Sequence, residues 1–200
     1  MYPNFVGSEA VLASENLIFG QHANDREAFN ATLHPFIRNA VGAMDFGPVL
    51  LNKRHNRKNT GGMIRKTTET FQLATAILFQ TPVQNFGITP NNLDEMPAHV
   101  IDFMKKVPTT WDETVLIDGY PGKYCVLARR HNDTWYIAGI NAEQRDKTIT
   151  VSLPMLTENE VKLYSDSDNR KPVVNKVQLQ KRKQLKIKLL ANGGSIIVAK

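Results

Sequence analysis

Two carboxylates, Glu9 and Glu15, stand six residues apart in otherwise apolar or small company, Tyr2-Pro-Asn-Phe-Val-Gly-Ser-Glu-Ala-Val-Leu-Ala-Ser-Glu15. Their spacing is neither one helical turn nor a clean strand alternation. A loop that folds both acids toward one point would let them share a proton or a metal ion. A surface helix that they begin and that runs on through Leu17 and Ile18 would leave both as solvated charges. The other residue with nucleophilic potential is the single cysteine, Cys125. Its setting, Tyr124-Cys-Val-Leu-Ala, reads as a buried strand rather than a reactive thiol, and one cysteine excludes an internal disulfide.

The elements that must position these groups fall into two halves. Two hundred residues, 42% of them hydrophobic, suffice for one large or two small cores. The net charge of +6 is uneven: residues 1–106 hold ten Lys+Arg against nine Asp+Glu, and residues 107–200 hold fifteen against ten. Tyr2 to Val6 reads as the end of a buried strand, and Gly20 to Asn30 as an exposed loop. Pro35 is placed to open a short helix closed by Gly42. Ala43 to Leu51 reads as a second strand with its loop. Asn52 to Lys66 carries Lys53, Arg54, Arg57, Lys58, Arg65 and Lys66 without an acid or an aromatic residue. That composition predicts a solvated loop and no nucleic-acid partner. Thr67 to Gln80 is the clearest helix, with Phe71, Ala74, Ile77 and Leu78 on one face. Val83 to Gly87 is a third strand candidate, Pro90-Asn91-Asn92 a turn, and Pro97 to Lys106 a helix with Val100, Phe103 and Met104 inward. Strand and helix thus alternate three times, as in a (β/α) barrel or an open α/β sheet.

From Val107 the helical period disappears. Short β-rich runs begin at Glu113, Tyr124, Thr134, Thr148, Val161, Lys176, Leu185 and Ser195, separated by turn signals such as Pro121-Gly122 and Asn192-Gly193-Gly194. Eight such strands fit an antiparallel sandwich, with Tyr124, Trp135 and Tyr136 as its aromatics. Trp111 sits where it could seal the two halves together, and Lys181-Arg182-Lys183 reads as a charged hairpin tip. No apolar run approaches the roughly 18 residues of a membrane helix, and no export signal opens the chain. Met1 is followed at once by the interior of a strand, which suggests a piece of something longer.

Several phrases together resemble glycoside hydrolase family 97: Tyr2-Pro3-Asn4 before the paired glutamates, Leu33-His-Pro-Phe36 with Arg38-Asn39, Met44-Asp-Phe-Gly-Pro48, Gln72-Leu-Ala74, and Val107-Pro-Thr-Thr-Trp-Asp-Glu-Thr114 with Gly119-Tyr-Pro-Gly122, Ala128-Arg-Arg130 and Trp135-Tyr136. The resemblance implies a fold of two kinds, α/β plus all-β. Residues 1–106 would be the last three units of a (β/α)8 catalytic barrel, and residues 107–200 a C-terminal β-sandwich domain. It implies an exo-acting α-glucosidase or α-galactosidase that depends on calcium. Glu15 takes the family's general-acid position, and Glu9 and Glu15 are among the carboxylates around the Ca2+. The expected partners are an α-glycoside or oligosaccharide substrate, the missing N-terminal part of the same protein, and further copies through self-association. The full-length family member is expected in the periplasm or outside the cell. Ser8, Ala10, Leu12 and Ala13 stand where the family usually has glycines and an arginine, a departure inside the motif itself. The competing expectation is a non-catalytic carbohydrate-binding or structural module, with exposed aromatics such as Trp111 or Tyr120 meeting sugar.

Because the carboxylate opposite the proton donor would lie upstream, the 200-residue chain is expected not to release the aryl group from aryl α-glucosides or α-galactosides, with or without calcium. Turnover abolished by Glu15→Gln would show a complete site within these residues.

Overall fold

A computed structural model of the chain describes residues 10–11, 21–48, 58 and 64–200. Its framework is a six-stranded antiparallel sheet sandwiched between helices on one face and a strand pair on the other. In chain order the described elements begin with β1 (Ala10–Val11), α1 (Gln21–Leu33), α2 (Arg38–Val41), β2 (Asp45–Phe46), α3 (Glu69–Leu78), α4 (Pro90–Glu95) and α5 (Ala98–Lys106). The strands β3 (Glu113–Tyr120), β4 (Tyr124–His131), β5 (Thr134–Asn141), β6 (Lys147–Ser152), β7 (Glu160–Asp166), β8 (Pro172–Gln178), β9 (Gln184–Leu189) and β10 (Gly194–Ala199) follow.

The large sheet has the order β3-β4-β5-β10-β7-β8, and β6 pairs with β9. Strand alternation explains the layering. On β4, Cys125 and Leu127 join the helical side, whereas Val126 and Ala128 face the β6–β9 pair. On β10, Ile196 goes one way and Ile197 and Ala199 the other. The pair itself shows one buried face: Leu185, Ile187 and Leu189 alternate with Lys186 and Lys188 along β9. All eight strand runs expected from the sequence are present, with ends displaced by a few residues. One connection differs. Lys181-Arg182-Lys183 is not a hairpin tip, because β8 belongs to the large sheet and β9 to the pair, so the chain changes sheets there through a 3-10 turn. Lys183 Nζ donates to the carbonyls of Thr157 and Glu158 and to Asn159 Oδ1, which ties the crossing to the preceding loop.

Helix α3 fills the other side of the sheet, and every residue from Glu69 to Leu78 is buried. Thr68 caps it, its hydroxyl accepting from Phe71 N at 3.0 Å, and Glu69 complements the helix dipole in the first turn. Phe71, Ala74, Ile77 and Leu78 pack with Cys125, Leu127, Ala138, Ile140 and Ile196. The helix approaches β10 so closely that a Cβ on Gly194 would stand 2.6 Å from Phe71 Cα.

Several local expectations are corrected. Gly20 to Asn30 is not an exposed loop: from Gln21 it is α1, and Asn24, Glu27, Ala28, Ala31 and Thr32 are buried at helical spacing. Polar side chains at three of those five positions concealed the stripe. Pro90-Asn91-Asn92 is not a turn but the start of α4, where Thr89 and Asn92 form a reciprocal capping box. Among the described residues Val83 to Gly87 shows only a bridge position at Gly87, whose N donates to the Pro48 carbonyl at 2.8 Å. Pro35 lies in a turn, and the short helix begins at Arg38. Arg65 is wholly buried rather than part of a solvated basic loop, most of which lies outside the described residues. Among the described residues of the first half, one parallel pair is present, β1–β2, with Ala10 opposite Asp45 and Val11 opposite Phe46. Three strand–helix units of a barrel are not seen among the described residues.

Replacing Gly194 by alanine should destabilise the protein by about 3 kcal/mol, because the new methyl group meets helix backbone that cannot rotate away. Gly139→Ala, whose Cβ would meet the Val126 side chain at 3.3 Å, should cost clearly less. Urea unfolding of the two variants measures the difference; equal losses would contradict the close helix–sheet contact.

Candidate functional site

The polar chemistry among the described residues collects where the first half meets the sheet. Helix α1 delivers Glu27, the segment before α3 delivers Arg65 and Thr67, and the first turns of α3 deliver Glu69 and Gln72. All five are buried. Gln72 Nε2 donates to Glu27 Oε1 at 2.5 Å and to Thr67 Oγ1 at 2.9 Å, and Thr67 Oγ1 donates to Glu27 Oε2 at 3.0 Å. Arg65 Nη1 donates to the Thr67 carbonyl at 2.6 Å, and its Nη2 meets Glu69 Oε1 at 3.3 Å. A buried guanidinium with two buried carboxylates in its field meets the requirement that interior charge be opposed and hydrogen-bonded. Burial nevertheless lowers the pKa of Arg65 and raises that of Glu27, in each case outweighing the opposing attraction.

A second link runs across the sheet end. Thr68 Oγ1 donates to Asp166 Oδ2 at 2.8 Å, and Gly194 N donates to the same oxygen at 2.9 Å. Thr68 N donates to the Asn192 carbonyl, and Arg170 donates to the carbonyls of Ala191 and Lys66. Burial raises the pKa of Asp166 against these hydrogen bonds. The arrangement is suited to fastening helix to sheet; it presents no nucleophile paired with a base.

The acids singled out in the sequence, Glu9 and Glu15, lie outside the described residues, as does the stretch Tyr2 to Val6. Among the described residues no group of three or more His, Cys, Asp or Glu could hold a metal ion. Cys125 is fully buried on β4, and burial pushes its thiol up to about 12, so it is not a nucleophile at neutral pH. Trp111 is half-buried, with its ring edge-on to Tyr136 at 5.5 Å, and Tyr120 is exposed. No described helix is long and apolar enough to cross a membrane. Sequence reasoning missed Glu27, Arg65 and Asp166. Glu27 was detectable as part of the i, i+3, i+4 set formed with Asn24, Ala28 and Ala31; no local signal marks the other two.

An antiparallel sandwich following a helical segment with a parallel strand pair is an arrangement that recurs among glycoside hydrolases. Residues 110–200 match the family described as glycosyl-hydrolase 97 C-terminal, oligomerisation. A retaining alpha-galactosidase of Bacteroides thetaiotaomicron is 28% identical over 202 residues, spanning 96% of this chain and 30% of that protein. The crystal structure of a beta-arabinopyranosidase is 54% identical, with a TM-score of 0.91 over 99% of this chain and 32% of the other. A glycoside hydrolase family 97 enzyme from Pseudoalteromonas sp. strain K8, in complex with acarbose, is 26% identical, with a TM-score of 0.74 over 90% of this chain and 30% of the other. These matches identify the chain as a C-terminal portion of glycoside hydrolase family 97. It spans about a third of the length of the relatives that it matches.

Glu27 and Asp166 hold a proton more tightly folded than unfolded. Their contribution to stability is therefore full below the ordinary carboxylate values of 4.5 and 3.8 and is lost as pH rises through the raised ones. Asp166→Asn and Glu27→Gln should each flatten the decline of the urea midpoint as pH rises above the ordinary carboxylate values. Curves parallel to that of the unaltered chain would show that neither carboxyl titrates abnormally.

Proposed function

We propose that the chain is the C-terminal part of a calcium-dependent, exo-acting glycosidase that removes terminal α-linked sugars of galactose configuration and is inactive alone. Residues 1–106 would supply the last three units of its (β/α)8 barrel, and residues 107–200 a sandwich through which copies assemble. The observation that carries this reading is the parallel β1–β2 pair joined through α1. A parallel pair with helix between its strands is what one barrel unit would contribute, and it supports reading β1 and β2 as neighbouring barrel strands. In the sequence Glu15 follows the last residue of β1 by four positions, and barrel enzymes draw their catalytic groups from the residues that follow their strands.

In this reading Glu15 protonates the departing glycosidic oxygen, which would otherwise leave as an alkoxide. The opposing carboxylate belongs to the missing upstream barrel. Glu9 and Glu15 would hold Ca2+; their hard carboxylate oxygens suit the ion but fill only part of a shell of six to eight. When bound, calcium would supply a fixed positive charge at the sugar-binding end. The preference for galactose over glucose configuration draws on two relatives. One is named a retaining alpha-galactosidase and the other a beta-arabinopyranosidase. A β-L-arabinopyranoside matches an α-D-galactoside at every ring carbon and lacks only the hydroxymethyl group. The full-length protein would act in the periplasm or outside the cell, where such oligosaccharides are met.

In the longer protein, Glu15→Gln should lower kcat by about a thousandfold on an alkyl α-galactoside and far less on a dinitrophenyl one, whose leaving group needs no proton. An equal loss on both substrates would assign Glu15 a role other than proton donor. Turnover of α-glucosides at the rate of α-galactosides would overturn the sugar preference.

A further inference from the structure

Arg129, on β4, is held in a way that its structural contacts do not explain. Only 4% of the residue is exposed. Its Nη2 donates to the carbonyl of Leu78, the last residue of α3, at 3.1 Å, and its guanidinium carbon lies 5.9 Å from the centre of the Trp111 ring. Its Nε is enclosed and has no hydrogen-bond partner, and among the described residues no carboxylate faces the charge: the ionisable neighbour is Cys125, whose thiol is neutral. Burial lowers the guanidinium to about 10, so it is still a cation at neutral pH. Glu27, Arg65 and Glu69 face opposite charge in the interior; Arg129 meets none among the described residues.

Beside Arg129 opens a groove of about 270 Å3, lined also by Gln80, Thr109, Thr110, Trp111 and Thr114. The Thr110 carbonyl is occupied by His131 Nδ1 at 2.9 Å, and the Gln80 backbone by Met44 and Asn39. The three threonine hydroxyls and the Gln80 amide have no protein partner among the described residues. A cation, three threonines, a glutamine and an indole ring therefore line one small concavity between the first half and the sandwich. None of these residues belongs to the acid pair, so the reading does not depend on the proposed catalytic roles.

We propose that this groove binds a small hydroxylated carboxylate, such as a uronic acid. The carboxylate meets the Arg129 guanidinium, the hydroxyls meet Thr109, Thr110, Thr114 and Gln80, and the body of the ligand lies along Trp111. Arginine suits a planar carboxylate because its N–H groups form a fixed fork, which lysine lacks.

The chain has two tryptophans, Trp111 and Trp135, and Trp135 belongs to the core on the opposite face of the sheet. Titrating D-galacturonate into the 15N-labelled chain should move the Trp111 indole resonance and leave that of Trp135 in place. D-galactose should have no effect, and acetate should bind at least about tenfold more weakly, lacking the hydroxyls. Arg129→Lys and the double variant Thr110→Val, Gln80→Leu should each weaken binding about tenfold or more. The double variant keeps the buried arginine and its helix contact, so it decides the matter if replacing Arg129 unfolds the chain. A Trp111 resonance that ignores galacturonate, responds equally to galactose or acetate, or keeps its response in the double variant would overturn the site and leave Arg129 a helix cap.

Discussion

The structure depends on one buried helix. α3 has no solvent-facing side, so each of its ten residues must find a partner in the sheet or in the helices around it. Its apolar residues rest on β4, β5 and β10, where Gly194 permits contact at backbone distance. Its polar residues cannot be left unmatched, since a buried amide or carboxylate without a partner costs more than its hydrogen bond returns. Glu27 answers Gln72, Arg65 answers Glu69, and Asp166 answers the capping residue Thr68. Apolar packing sets how close helix and sheet come, and the polar links set which residue meets which.

This constraint bears on function through geometry. The residues before α3 hold the strand pair β1–β2, and those after α5 hold the sandwich; α3 shares one core with Phe46 of β2 and with the helical face of the large sheet. A catalytic group carried by the first half would therefore inherit its rigidity from the β domain. Phe46 and Phe79, edge-to-face at 4.5 Å with His34 beside them at 5.3 Å from Phe79, extend the same packing from the end of α3 to β2. Burial and the nearby Arg38 lower the His34 pKa, which favours the neutral ring among these aromatics.

The sandwich was legible because its strands alternate or run apolar and its turns carry Gly, Pro and Asn, so local chemistry and final structure agree. The helix of residues 69–78 was legible for the same reason. The helix of residues 98–106 was legible as well, with Val100 and Phe103 inward, but the rest of the first half was not, because its signals come from tertiary partners. Arg65 reads as a surface charge in any local window, and Glu27 is marked only by the helical spacing of its neighbours; both are interior because residues 38 positions apart in the chain arrive together. Asn92 looks like a turn residue until its side chain closes a capping box with Thr89. Arg129 sits in the continuous β4 pattern with nothing in sequence to say that its charge goes unopposed. The acid pair that prompted the functional reading, Glu9 and Glu15, was found from residue types and spacing, and its roles rest on resemblance to the family.

The central claim is that α3 joins the helical first half and the β sandwich into one cooperative unit. Native-state hydrogen exchange measures this directly. The account predicts that the amides of Gln72 to Leu78 exchange with the same opening free energy and the same denaturant dependence as those of β5 and β10. Exchange of α3 through a lower-energy opening that leaves β5 and β10 protected would contradict it.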